Sequence, residues 1–214
     1  MEEALVKKID AFFTQFKYQK YKKGEILIRA DDDPTGIFYL KKGTVKEYAI
    51  SKKGDEVVVN IFKPASFFPM SWAINNTYNR YYFEATSDVE IWKTPREKAV
   101  EYIKNEPDVL FNLLSRLYKG TDGLLTRMTY LMSGNAYARL IAELLIYAKR
   151  FGNGQNVVDV QIAEKDLAAQ SGMTRETVSR EMKILKDKGL VVVRKNILAI
   201  TDLEKLEDEL TDGA

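Results

Sequence analysis

The side chains best placed for chemistry in this chain are Arg175, Glu176, Ser179, Arg180 and Lys183, whose spacing puts them on one face of a short helix. Val178, Met182 and Leu185, at steps of four and three, form its opposite, apolar face, and Thr174 stands where an N-cap belongs. Upstream, Leu167 and Ala168 lie on the inner face of another short helix. Gly172 supplies the turn between them, where a positive φ is expected and a side chain would crowd the second helix. Over Glu164–Val192 this is the anatomy of a helix-turn-helix whose second helix enters the DNA major groove. Residues 173–195 carry seven basic residues against three acidic ones, which suits contact with phosphates. On charge alone, a solvated helix face fits equally well.

Composition removes most other chemistry. The 214 residues include no Cys and no His. That excludes disulfides, thiolate-held iron–sulfur clusters and thiol switches, together with imidazole metal ligands, His-based triads and His-ligated haem. Carboxylate-held Mg²⁺ or Ca²⁺ remains chemically open, but no loop has calcium-site spacing, so no metal or cofactor is expected. A barrel enzyme of cupin type would need metal-binding histidines, so an enzyme is not expected. Apolar residues at 45% are enough for a core, and no run of about 18 of them suggests a membrane span. The opening MEEALVKKIDAFF lacks the apolar stretch of a signal peptide, and a cytoplasmic protein with no membrane partner is expected.

Three regions follow from the change of period along the chain. Residues 2–16 read as an amphipathic helix with Leu5, Ile9, Phe12, Phe13 and Phe16 on one side. From Tyr18 to Thr94, runs such as EILIRA, IFYLKKG, TVKEYAI, EVVVNIF and VEIWKTP alternate with turn signals at Lys23-Gly24, Asp33-Pro34, Lys42-Gly43, Lys53-Gly54 and Lys63-Pro64, which argues for a compact antiparallel barrel or sandwich. REKAVEYIKNEPD is a short helix. A long one over 108–132 follows, with the seam Leu110, Leu114, Leu117, Thr121, Leu124, Met128, Leu131. A sustained 3.5-residue repeat marks a seam facing another helix, most simply the same helix of a second subunit. Val109, Leu113 and Leu125 suggest that a second face is covered as well. Gly120 and Gly123 flank Thr121, and imply either close approach of two helices or a pliable segment. Ser133-Gly134-Asn135 breaks the pattern as a hinge, and Asn135 caps a helix to about Arg150, ended by Phe151-Gly152-Asn153-Gly154. After the helix-turn-helix, Gly189 closes the second helix. LVVVRKNILAITD then makes a two-stranded wing around Arg194-Lys195-Asn196, and a helix over 203–210 ends the chain. The expected class is α+β, with domains over 1–106, 107–134 and 135–214.

This order of parts resembles the cyclic-AMP receptor protein and FNR superfamily of bacterial transcription regulators over nearly the whole chain. MTRETVSREMKILKDKGLV is similar to the family's recognition helix, PDVLFNLLSRLYKG to the start of its dimerisation helix, and GEILIRADDDPTGIFYLKKGTVKEY to its early strands. The resemblance implies an N-terminal antiparallel β-roll of cyclic-nucleotide-binding type (a jelly roll), a long dimerisation helix and a C-terminal winged helix-turn-helix. It implies a homodimer on double-stranded DNA, reading an inverted repeat with TGA-like half-sites, with RNA polymerase as a further partner. Arg180 would then reach guanine O6 and N7 bidentately, and Glu176 would accept from a cytosine N4 amine. Arg175 would read a further base or a phosphate, and Ser179 would add a short polar contact. Thr174, Lys183 and Lys195 would hold phosphates. The bland alternative is an exposed Glu176–Arg180 ion pair. At Glu181 the chain departs from the family, where an apolar residue is commoner, so Met182 is expected to carry more of the packing.

The resemblance weakens at the effector pocket. Nucleotide-binding relatives use a Gly-Glu pair and an Arg-Ser pair, and a polar pair on the dimerisation helix. Here KPASFFPMSWAI places Pro69-Met70 at the first, Asn79-Arg80 stands near the second in a shifted register, and Leu124-Leu125 replaces the third. A cyclic phosphate needs a cation and backbone N–H donors, so no cyclic-AMP response is expected. Phe67, Phe68, Met70, Trp72, Arg80 and Tyr82, with Leu124 and Leu125, are the candidate lining for another small-molecule effector; Tyr78, Tyr81 and Phe83 add to the aromatic run. Either they line a pocket for an apolar or aromatic ligand or they fill the space. A sensory module whose winged helix contacts protein rather than DNA is the alternative function.

Overall fold

The computed structural model describes residues 3–52, 54–151, 155–160, 162–194 and 197–212. Lys53 of one expected turn, Gly152, Asn153 and Gly154 of another, and Lys195 and Asn196 of the wing tip lie outside the described residues. The chain divides into two compact units, 1–117 and 118–214.

In the first unit, α1 (Glu3–Phe13) precedes eight strands: β1 (Lys17–Tyr21), β2 (Ile26–Ile28), β3 (Ile37–Lys42), β4 (Val45–Ile50), β5 (Glu56–Phe62), β6 (Ser66–Phe68), β7 (Tyr82–Ala85) and β8 (Val89–Thr94). They form two four-stranded antiparallel sheets, in the orders β1-β8-β3-β6 and β2-β7-β4-β5. The short helix α2 (Met70–Asn75) falls between β6 and β7, α3 (Arg96–Asn105) follows β8, and α4 (Pro107–Ser133) begins in this unit. Pro107 suits the start of α4, since its ring presets φ and its missing N–H would have no helical acceptor. The helix α1 is shorter than expected, and Phe16 lies beyond its end, its ring 5.2 Å from that of Phe12.

The central strand β3 explains the layering. Ile37, Phe38, Tyr39 and Leu40 are all buried, because both faces of their sheet are covered. Phe38 and Leu40 point between the sheets, with Ile28, Val45, Phe68, Phe83 and Ile91. Ile37 and Tyr39 point outward, under Ile9 and Phe13 of α1, Ala99 and Ile103 of α3, and Val109. The start of α4 is tied to the sheet by Arg116, which donates to the Ala65 carbonyl (2.7 Å) and the Ser66 hydroxyl (2.8 Å).

The second unit contains the later part of α4, α5 (Ala136–Phe151), β9 (Val158–Val160), α6 (Glu164–Ser171), α7 (Arg175–Asp187), β10 (Val191–Arg194), β11 (Ile197–Ile200) and α8 (Leu203–Asp212). Asn135 caps α5 by accepting the Ala138 N–H at 2.9 Å. The wing has three strands where two were expected. Strand β9 pairs with β11 opposite β10, and Val158 and Val160 are buried beside Ile200 and Leu198. Three residues are too short a run for alternation to announce a strand. Arg127 of α4 grips Glu143 of α5 through Nε–Oε1 (2.6 Å) and Nη2–Oε2 (2.9 Å), with Glu143 almost wholly buried. Burial pushes the Glu143 carboxyl above the usual range, and the Arg127 guanidinium opposes the shift.

A Cβ at Gly120 would meet nothing within 4 Å, and one at Gly123 would touch only Ile146 Cγ2 at 3.8 Å. Within one chain, neither glycine is demanded by space.

Candidate nucleic-acid interface

The helix-turn-helix is assembled by local signals on a tertiary core. Gly172 ends α6 with φ +64°, and the Met173 N–H returns to the Ala168 carbonyl at 3.1 Å. An added Cβ would meet only Leu131 Cδ2, at 3.9 Å, so the left-handed backbone, rather than the crowding expected, is what calls for glycine. Thr174 then caps α7, its hydroxyl accepting the Thr177 N–H at 3.2 Å. Val178, Met182 and Leu185 are fully buried with Leu140, Ile141 and Leu144 of α5 and Val191 and Leu198 of the wing. With that face locked into the core, Thr174, Arg175, Glu176, Ser179, Arg180 and Lys183 are held together on the solvent side.

Their electrostatics are distinct. The Glu176 carboxylate takes its own backbone N–H and the Thr174 hydroxyl, contacts that hold it below the ordinary carboxylate range and keep it an ionised acceptor. Arg180 turns to Glu181, not Glu176: its Nε and Nη2 donate to Glu181 Oε1 at 3.0 and 2.9 Å. Glu181 is buried between the fully buried Val178 and Leu185, which the departure noted in the sequence did not foretell. Lys186 and Lys188 are drawn aside to Glu164 (3.9 Å) and Glu209 (2.5 Å), whereas among the described residues Arg175 and Lys183 form no ion pair. Lys195 lies outside the described residues.

Along α4 the apolar repeat is left uncovered in the single chain. Leu117, Leu124, Met128 and Leu131 are each more than half exposed, Leu110 and Leu114 only slightly less, and Thr121 is exposed. Val109 and Leu113 do pack on the first unit's core, but Leu125, expected on a covered face, is exposed.

The candidate effector residues of the first unit do not share one lining. Neighbours on a strand face opposite ways, so Phe67 stacks on Phe13 (5.5 Å) outside the sheet while Phe68 lies between the sheets. Met70 and Trp72 pack on the outer cluster, Arg80 is exposed, and Tyr82 stacks on Tyr48 at 5.3 Å. Phe68 is surrounded by Phe38 (5.8 Å), Phe62 (4.7 Å) and Phe83 (5.3 Å), a stack that occupies the space between the sheets. A cleft of about 620 Å³ lies elsewhere, lined by residues 31–35, 76–79 and 95–97, and it takes only Trp72 from the candidate lining and Tyr78 from the wider aromatic run.

An antiparallel β-roll, a long apolar-seamed helix and a winged helix with an exposed polar face are the parts of a DNA-binding regulator with a domain of cyclic-nucleotide-binding type. Residues 18–106 match the cyclic nucleotide-binding domain family, and residues 138–209 match the Crp-like helix-turn-helix domain family. The cAMP-activated global transcriptional regulator CRP of Haemophilus influenzae is 24% identical over 186 residues, covering 86% of this chain and 83% of the relative. The global nitrogen regulator of Nostoc sp. is 24% identical over 191 residues, covering 85% and 84%. Among solved structures, a variant of CooA from Carboxydothermus hydrogenoformans superposes with a TM-score of 0.77 at 24% identity, covering 98% of this chain and 92% of that one. The protein belongs to the Crp–Fnr superfamily of DNA-binding transcription regulators. No helix among the described residues is long and apolar enough to cross a membrane.

Proposed function

We propose that the protein binds DNA as a homodimer, joined along α4, and reads an inverted repeat with TGA-like half-sites without responding to cyclic AMP. The observation that carries the reading is the division of α7: one face fully buried, the other presenting Arg175, Glu176, Ser179 and Arg180 together. On this reading Arg180 donates to guanine O6 and N7, Glu176 accepts from cytosine N4, and Ser179 and Arg175 add a base or phosphate contact. Thr174, Lys183 and Lys195 hold phosphates and set register without reading sequence. The uncovered stripe Leu110–Leu131 supports a second copy as the partner, which would set two recognition helices about 34 Å apart. RNA polymerase is a further proposed partner.

The residues present do not fit a cyclic nucleotide. Asn79 is buried and spends its amide on the Arg29 and Tyr81 carbonyls, Arg80 points to solvent, and the phenylalanine stack around Phe68 takes the interior. The test is fluorescence anisotropy with the full chain and a duplex carrying a TGA-type inverted repeat, with and without cyclic AMP. Tight, nucleotide-independent binding, lost on scrambling the half-sites, is expected. Equal affinity for the scrambled duplex would overturn the reading.

A further inference from the structure

The pairing of Arg180 with Glu181 gives a role to a residue that contacts no base itself. Glu181 is 7% exposed, three residues after Val178 and four before Leu185, on the side of α7 that carries the winged-helix core. A carboxylate in such a place is costly to bury unless a charge-assisted donor meets it. The donor it meets is Arg180, whose side chain remains 69% exposed. Successive helix positions point about 100° apart, so the guanidinium reaches Glu181 only by folding along the rim of the helix.

The contact is specific about which edge of the guanidinium it uses. Nε–H and one N–H of Nη2 both donate to Glu181 Oε1. A guanidinium carries five N–H donors in a rigid plane. The side edge is therefore occupied; of the three N–H groups that remain, one of Nη1 and the second of Nη2 are a pair of parallel donors at the end of the fork. That is the spacing guanine O6 and N7 require. A flexible arginine can also turn to a phosphate, where it adds affinity without selectivity; one braced at its side edge has less freedom to do so.

We infer that Glu181 is a positioning residue for base reading, fixing the Arg180 guanidinium so that its end edge meets guanine. This rests on the base-reading role proposed for Arg180. The test uses the full-length protein and a duplex that it selects from a random pool. The half-site base lost as a determinant in Arg180→Ala is identified, and binding is compared for duplexes with guanine or adenine there. For Glu181→Leu, which suits the apolar surroundings, the guanine-over-adenine ratio at that base should fall about tenfold. Discrimination at the other half-site bases and affinity for a random duplex should hold. Glu181→Gln, which keeps an acceptor oxygen without charge, should lie between, and serves also if the leucine variant does not fold.

An unchanged ratio in the folded Glu181 variant, with Arg180→Ala abolishing it, overturns the positioning role and leaves the base-reading role standing. A uniform loss at every base would mean that Glu181 merely supports the fold, and also overturns the inference. If Arg180→Ala alters discrimination at no base, base reading by Arg180 fails, and the inference with it.

Discussion

Replacing Arg127 with leucine should destabilise the second unit by an amount that depends on pH in a calculable way. The wild-type pair is two short charge-assisted hydrogen bonds, 2.6 and 2.9 Å, on a Glu143 side chain 4% exposed. Removing one partner of a buried pair costs about 3–5 kcal/mol, because the remaining charge is left in low dielectric. Glu143 has an escape, which is to take up a proton. Protonating a glutamate with the ordinary value of 4.5 costs 1.36 kcal/mol per pH unit, or about 3.4 kcal/mol at pH 7. That figure caps the electrostatic part of the loss. In the variant, the folded-state pKa rises further above the unfolded value. Stability from this group is then fully present below about pH 4.5 and is lost as the pH climbs through the raised folded value. The penalty of Arg127→Leu should therefore shrink by up to about 1.4 kcal/mol for each pH unit between 7 and 5. The double variant Arg127→Leu, Glu143→Leu should recover most of the loss at every pH, since an apolar pair of similar volume is often neutral or better. Urea unfolding of wild type, single and double variants at pH 5, 6 and 7 reads this directly. A single-variant penalty that is flat with pH, or a double variant as unstable as the single, would refute the reasoning.

Other expectations are simpler. Gly120→Ala should stabilise α4 by about 1 kcal/mol in thermal unfolding, since open space surrounds the position; a loss instead would point to contact with a second copy there. If the proposed dimer forms along α4, Leu117→Asp and Leu124→Asp should give monomer by light scattering where wild type gives dimer, while leaving each unit folded, because both side chains are exposed in the single chain. Phe68→Ala should cost about 3–5 kcal/mol by opening a cavity among Phe38, Phe62 and Phe83. Thr174→Ala should cost about 1 kcal/mol through the lost cap and should weaken DNA binding measured by anisotropy.

The recognition helix was legible from residue types alone because its signals are short-range. A cap at Thr174, a glycine turn at Gly172 and apolar steps of three and four act within a few residues of one another, and they survive in whatever core they meet. The α4 seam was legible for the same reason. Facing in the β-roll was not. With Ile37, Phe38, Tyr39 and Leu40 all apolar, alternation cannot tell inside from outside, and the opposed fates of Phe67 and Phe68 depend on which helices cover which sheet. The third wing strand needed β11 as its partner before three residues could count as a strand. Glu143 reads in one dimension as an ordinary surface carboxylate, and Glu181 as a departure from an apolar position whose burial the sequence did not decide. Both are buried, and the arginine each meets is set by side-chain packing in three dimensions: Arg127 from another helix, and Arg180 folded back along its own. Local periodicity thus named the helix-turn-helix, while tertiary packing decided that Glu143 and Glu181 are buried and that each is met by an arginine.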